Sequence, residues 1–180
     1  MKIEKDTPVE DIAEMAVEDY AGDLIEIGAG DGMNTGHFLL TAAIKKRKVM
    51  VIDPFELGWP DMPESYGKPY PLKKFNDHIN LLELNDWLVL LRSSSQSDAA
   101  KEFVGSKPLA FAFVDGLQTK AAILSDLELV KHAHVIVVDD MDRSTDISQT
   151  PEAIEEYMKT SKNGLIITRR YAVIIKNNKC

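Results

Sequence analysis

The feature that most constrains this chain of 180 residues is a set of short, nearly unbroken apolar runs separated by amphipathic segments. Leu24–Ile27, Val49–Ile52 and Val135–Val138 carry a polar side chain only at Glu26. A half-exposed strand alternates apolar and polar residues, whereas a run that is apolar throughout suits a strand covered on both faces. The segments between the runs have a helical period. In "PVEDIAEMAVEDY", Val9, Ile12, Ala13, Ala16 and Val17 share one face, and Pro8 suits a first helical turn. "NTGHFLLTAAIKK", "PLKKFNDHINLLEL", "SQSDAAKEFV" and "TKAAILSDLELVKHA" read as further helices, the last with Ile123, Leu127 and Val130 in phase. "TPEAIEEYMK" reads as a helix capped by Thr150, with Pro151 at its first position and Asn163–Gly164 ending it. "DWLVLLRS" and "PLAFAFVDG" add strands, Trp87 alternating into the first of them as a core residue. "GLIITRRYAVIIK" reads as two strands joined by a tight turn. Alternation of this kind predicts an α/β fold with one doubly wound parallel sheet, right-handed crossovers and helices on both faces.

One domain over residues 1–180 is expected, with an N-terminal helix within residues 1–20. At 44% hydrophobic and 28% charged residues, the composition is that of an ordinary globular protein. No apolar run approaches the roughly 20 residues that span a bilayer. "MKIEKDTPVEDIAEM" has no apolar signal core, so a cytoplasmic protein without a membrane partner is expected. The one cysteine, Cys180, excludes a disulfide or a cysteine zinc site within one chain and reads as an exposed bystander. A net charge of −8 opposes nucleic acid as a main partner. "KKRK", Lys45 to Lys48, reads as a helix end, where cations suit the dipole. His37, His78, His132 and His134 show no ligand spacing; the last two flank the final turn of a helix and read as structural.

In doubly wound sheets, ligands bind beyond the carboxyl ends of the strands. Glycines follow the first strand, Asp53 and Pro54 the second, and Ser93, Ser94 and Ser95 the third. Asp115 and Gly116 follow the fourth, and Asp139, Asp140 and Asp142 the fifth. The segment 54–71 holds five of the eight prolines and is long for a strand-to-helix connection. It reads as a substrate-facing loop with Trp59 as a pocket wall.

The glycine turn runs Glu26-Ile27-Gly28-Ala29-Gly30-Asp31-Gly32. A dinucleotide fingerprint would need glycine at Met33, and the lysine and hydroxyl of a P-loop are missing. Glycines let the backbone approach a ligand closely. Glu26 and Asp31 would repel a diphosphate but not a cationic or zwitterionic ligand. Asp53, 21 residues past Gly32, is suited to accept hydrogen bonds from two ribose hydroxyls.

The E-x-G-x-G-x-G turn, the acid after the second strand and the closing strand pair resemble the class I S-adenosylmethionine-dependent methyltransferases. The resemblance covers nearly the whole chain. It implies a Rossmann-like, seven-stranded, mostly parallel sheet with an antiparallel last strand. It places Gly28, Ala29, Gly30 and Gly32 along the amino-acid end of the cofactor, with Glu26 beneath. Asp53 would take the ribose, Pro54 would lie near the adenine, and Ser93 and Ser94 would meet the adenine. Asp115 would face the methyl-transfer site.

"FAFVDGLQTK" and "HVIVVDDMD" further resemble the small O-methyltransferases of the macrocin and cephalosporin-biosynthesis type, which pair D-G-x-H with D-D. That branch holds a divalent metal, usually magnesium, on acids matching Asp115, Asp139 and Asp140, and Asp115 and Asp139 would serve catalysis. Three converging carboxylates would need a cation, and magnesium prefers oxygen ligands. The chain departs from the pattern at Gln118, where the branch has histidine, and at Lys120, where it has tyrosine. The expected function is methyl transfer from S-adenosylmethionine to a small-molecule acceptor, at a hydroxyl oxygen and with a metal. The alternatives are a cofactor-binding protein of this fold without transfer, and a dinucleotide enzyme, which Met33 opposes. Relatives often associate, which admits a homo-oligomer.

Overall fold

The computed structural model describes residues 1–59, 68–142 and 148–177. Cys180 and the middle of the 54–71 segment lie outside the described residues. Seven strands form one sheet: β1 (Asp23–Ile27), β2 (Val49–Ile52), β3 (Leu88–Leu91), β4 (Leu109–Val114), β5 (Val135–Val138), β6 (Gly164–Ile167) and β7 (Ala172–Ile175). Their order is β3-β2-β1-β4-β5-β7-β6. The last strand, β7, runs antiparallel to both of its neighbours, as expected. The pairs among β1 to β5 are all parallel. The described helices are α1 (Val9–Asp19), α2 (Met33–Lys45), α3 (Leu72–Leu81), α4 (Asp98–Val104), α5 (Lys120–Leu129) and α6 (Thr150–Met158).

The period of two along the strands sorts the core into two layers. Leu24, Val49, Val51, Phe111, Phe113 and Val135 face α1, α2 and α3, where Ile12, Phe38 and Phe75 are fully buried. Ile25, Ile27, Ile52, Ala112, Val114 and Val138 face α4, α5 and α6. Strands β2, β4 and β5 are buried at every position, which is why they read as continuous apolar runs. The predicted face of α1 is buried at all five positions. The basic run closes α2, with Lys45 in the last turn and Lys46 left-handed at the cap. Among the described residues no helix is long and apolar enough to cross a membrane.

Local expectations fail where pairing across the sheet takes over. Thr150 opens α6 rather than capping it, because its hydroxyl turns to Gln118. That helix stops at Met158, well before Asn163; Gly164 pairs with Ile175 and begins β6. Pro8 stands just outside α1, at the cap. Trp87 sits in a single tight turn before β3 and not in the strand, yet packs half-buried against the core as expected, with the Lys48 ammonium 5.5 Å from its ring centre. His132 and His134 lie beyond α5: His134 stacks on Tyr20 at 4.5 Å, and His132 Nε2 meets the Lys107 carbonyl at 3.0 Å.

Candidate functional site

The strand order reverses between β1 and β4, so the glycine turn and Asp115 leave the sheet side by side. This contact decides the first glycine. Gly28 has φ +85°, and a Cβ there would lie 2.2 Å from the Asp115 carbonyl oxygen. Gly32 has φ +87° and would press a Cβ to 3.0 Å from the Phe75 ring of α3. Gly30 differs. Its Cβ would meet only the ring of Tyr70, at 3.4 Å, an ordinary contact. Two of the glycines therefore serve packing, and Gly30 is the one that faces a side chain at the mouth of the turn.

Four backbone N–H groups of the turn point inward. Gly28 donates to the Ile52 carbonyl at 2.9 Å and Gly32 to the Ala29 carbonyl at 2.8 Å. Ala29 and Gly30 donate to Asp53 Oδ2 at 2.8 and 3.1 Å. A phosphate cradle needs such groups free, so this turn is not one. Asp53 also accepts from the Phe55 N–H through Oδ1, at 2.5 Å. A carboxylate offers about four acceptor positions. Three are taken, leaving about one rather than the two that a pair of ribose hydroxyls would use. Burial raises the Asp53 pKa, and the bonds from Phe55, Gly30 and Ala29 pull against it.

Glu26 lies beneath the turn with no exposed surface. The Thr35 hydroxyl donates to its Oε2, and Oε1 has no hydrogen-bond partner among the described residues. Burial foremost pushes its pKa up to about 8; the Thr35 bond opposes this and the Asp53 charge adds to it. Asp31, by contrast, is balanced near the surface by Lys74 at 3.1 Å, whose ammonium also lies 4.9 Å from the centre of the Tyr70 ring.

On the other side of β1, Asp115 is raised well above the usual carboxylate range. Burial is the main cause, the charges of Asp139, Asp140 and Glu26 add to it, and Arg170 opposes it. Gln118 stands over it, donating from Nε2 to Asp115 Oδ1 at 3.3 Å. The Thr150 hydroxyl donates to Gln118 Oε1 at 2.7 Å, which fixes the orientation of the amide. Trp59 covers the same strand end: a Cβ on Gly116 would lie 3.0 Å from its Cη2. Lys120 is turned away, 3.9 Å from Glu156 at the surface.

Asp139 is held by a guanidinium. Arg170 Nε donates to Oδ1 at 2.7 Å and Nη2 to Oδ2 at 2.6 Å. The Asp140 N–H also donates to Oδ1, at 2.7 Å. Among the described residues, no group of three or more His, Cys, Asp or Glu side chains is arranged to hold a metal ion. Asp115, Asp139 and Asp140 thus gather at one sheet edge without forming the oxygen cage that magnesium requires.

Pro54 is buried beside Asp53. Ser93 and Ser94 bond within their own loop, to Ser97 at 2.9 Å and to Gln96 at 2.6 Å. Arg170, Thr35, Tyr70 and the bond from Thr150 are absent from the sequence reading. The only sequence signal for Arg170 was the pair Arg169–Arg170 in the turn of a strand pair expected at the sheet end.

No protein-family model matches this chain. A search of curated proteins also finds no match. Solved structures do match. One is CalS11, a TDP-rhamnose 3'-O-methyltransferase in calicheamicin biosynthesis, with 15% identity and a TM-score of 0.70 over 94% of this chain and 78% of that one. Another is the SAH-bound methyltransferase PaMTH1 of Podospora anserina, with 12% identity and a TM-score of 0.65 over 94% and 78%. A third is the O-methyltransferase TomG of Streptomyces achromogenes in complex with SAM, with 13% identity and a TM-score of 0.59 over 95% and 80%. The fold is that of the class I methyltransferases.

Proposed function

We propose that this chain is an S-adenosylmethionine-dependent methyltransferase acting on a small-molecule acceptor, at a hydroxyl oxygen. The observation that carries the reading is the pairing of an inward-turned glycine turn with Glu26, whose Oε1 is buried and has no partner among the described residues. Such a turn rejects phosphate and suits a ligand that brings a positive charge. The likeness to methyltransferases seen with SAH or SAM bound supports the same cofactor.

Gly30 and Ala29 would border the amino-acid end of the cofactor, with Gly28 and Gly32 holding the turn in shape and Glu26 below. Asp53 would accept a ribose hydroxyl at its remaining position. Pro54, Ser93 and Ser94 would edge the adenine. When bound, S-adenosylmethionine supplies an electrophilic methyl group on a sulfonium. Methyl transfer then needs alignment and a place for the acceptor proton. Asp115 is that place. Its raised pKa brings a carboxylate toward the range where it can take a proton near neutral pH. Activity should therefore rise with pH through a value above the ordinary carboxylate range, because Asp115 accepts a proton only once it is ionised. Gln118, fixed by Thr150, holds Asp115 in place, and Trp59 walls the acceptor side.

The test is titration calorimetry with S-adenosylhomocysteine. The chain should bind it, and Asp53→Ala should weaken binding at least tenfold. Absence of heat at millimolar ligand would overturn the reading. A second reading, cofactor binding without transfer, is favoured by Gln118, whose amide cannot take a proton and is bonded on both sides. Binding with no methylated product across a panel of hydroxylated acceptors would select it.

A further inference from the structure

The acids at the ends of β4 and β5 raise a question that methyl transfer does not answer: what balances their charge. Asp139 is 1% exposed, and a buried ion needs a partner or becomes costly. Both of its oxygens are met by the fork of Arg170, at 2.7 and 2.6 Å. Parallel bonds of this kind are the strongest that a guanidinium makes to a carboxylate.

The fork is held in position. Arg170 lies in the turn between β6 and β7. Its carbonyl accepts from the Met141 N–H at 2.8 Å, tying that turn to the loop that carries Asp139 and Asp140. Thr168 closes the turn: its N–H donates to the Tyr171 carbonyl at 2.9 Å, and its hydroxyl accepts from the Tyr171 N–H at 2.8 Å. The guanidinium carbon lies 5.6 Å from the centre of the Tyr171 ring. On the N-terminal side, the Arg169 N–H donates to the Lys5 carbonyl at 3.0 Å.

A divalent ion binds carboxylates through their oxygen lone pairs, and a cation already bonded to both oxygens takes lone pairs from it and repels it. A guanidinium keeps its charge at every working pH. We propose that Arg170 is a built-in cation in the place of the divalent metal, and that this chain works without one. Arg170 is the positioning residue that sets a fixed positive charge on Asp139 beside Asp115. Two of the five guanidinium N–H groups are used on Asp139. The Arg170 side chain is half exposed. The inference takes its location from the methyl-transfer reading, but its test uses neither cofactor nor acceptor, so either can fail alone.

The experiment is titration of the full chain with Mn2+, read by electron paramagnetic resonance as loss of free-ion signal. The wild type should show no stoichiometric site up to millimolar Mn2+. Arg170→Ala, with the oxygens of Asp139 released, should gain at least tenfold in affinity, and Arg170→Ala with Asp139→Asn should lose that gain. A wild-type site of one Mn2+ per chain that Asp139→Asn abolishes would overturn the proposal. So would a folded Arg170→Ala that binds no more Mn2+ than the wild type. If Arg170→Ala does not fold, the wild-type and Asp139→Asn titrations decide alone.

Discussion

Two buried acids flank the centre of the sheet, and they are satisfied in opposite ways. Glu26, under the glycine turn, has a hydroxyl on one oxygen and no partner for the other among the described residues. Asp139, after β5, has a guanidinium on both. Among the described residues the first region has no cation on its acid, which keeps its proton instead, and the second has brought its own cation. A site that lacks a charge is where a ligand can supply one, and a site that has its charge built in needs no ion from solution. On the proposed reading the glycine turn and the acid edge divide the work: one would receive a cationic cofactor, and the other would handle the acceptor proton beside a fixed positive charge.

The two regions meet at Gly28, and the largest expected effect breaks them there. In Gly28→Ala the new Cβ would stand 2.2 Å from the Asp115 carbonyl oxygen, on a residue with φ +85°. Neither the backbone of β1 nor that of β4 can give way without disturbing a buried pair of strands. A loss of more than about 3 kcal/mol is expected, read by urea denaturation or as failure to accumulate folded protein. A loss under about 1 kcal/mol, within the range of tolerated substitutions, would mean that the two strand ends do not pack as described.

Of comparable size is the pH dependence carried by Glu26. Its folded pKa of about 8 lies above the ordinary 4.5. The folded chain therefore keeps a proton that the unfolded chain releases. The resulting stability is fully present below about pH 4.5 and is lost as pH rises to about 8, at roughly 1.4 kcal/mol per pH unit. Glu26→Gln should remove that slope and make the cofactor-free chain the more stable of the two at pH 8. It should also weaken binding of S-adenosylhomocysteine, because the acid that could give up its proton to face a cation is gone. Parallel stability curves for the two proteins would deny the contrast between the regions. Asp139, with Arg170 in place, supplies no comparable empty position.

The glycine turn was legible in the sequence because its constraints are local. Gly28, Gly30 and Gly32 follow Glu26 within six residues, and Asp53 closes the next strand. The strand runs were legible for a related reason: burial on both faces leaves no polar position in β2, β4 or β5. The acid edge was legible only in half. Asp115, Asp139 and Asp140 could be placed at strand ends, but Arg170 reaches Asp139 across 31 residues. Its position depends on the antiparallel register that sets Ala172 opposite Val138. No spacing in the sequence encodes that register. The neighbouring β6–β7 pairing sets Gly164 opposite Ile175, which makes Gly164 the start of β6 and not the stop of α6.

The smallest effect on stability sharpens the comparison most, because it separates packing from binding within one turn. Gly30 has a left-handed φ of +55°, yet its Cβ position meets nothing nearer than the Tyr70 ring at 3.4 Å. Gly30→Ala should therefore cost only the backbone strain of an alanine in that region, about 1–2 kcal/mol. The added methyl would stand between the turn and Tyr70, where the amino-acid end of the cofactor is proposed to lie. Affinity for S-adenosylhomocysteine should fall by about tenfold, equivalent to roughly 1.4 kcal/mol, in a chain that melts as a single folded species. Equal losses of stability in Gly30→Ala and Gly28→Ala would show that the turn is a packing device throughout. Unchanged affinity in Gly30→Ala would move the cofactor away from Gly30, and the role of Glu26 as the acid awaiting a charge would go with it.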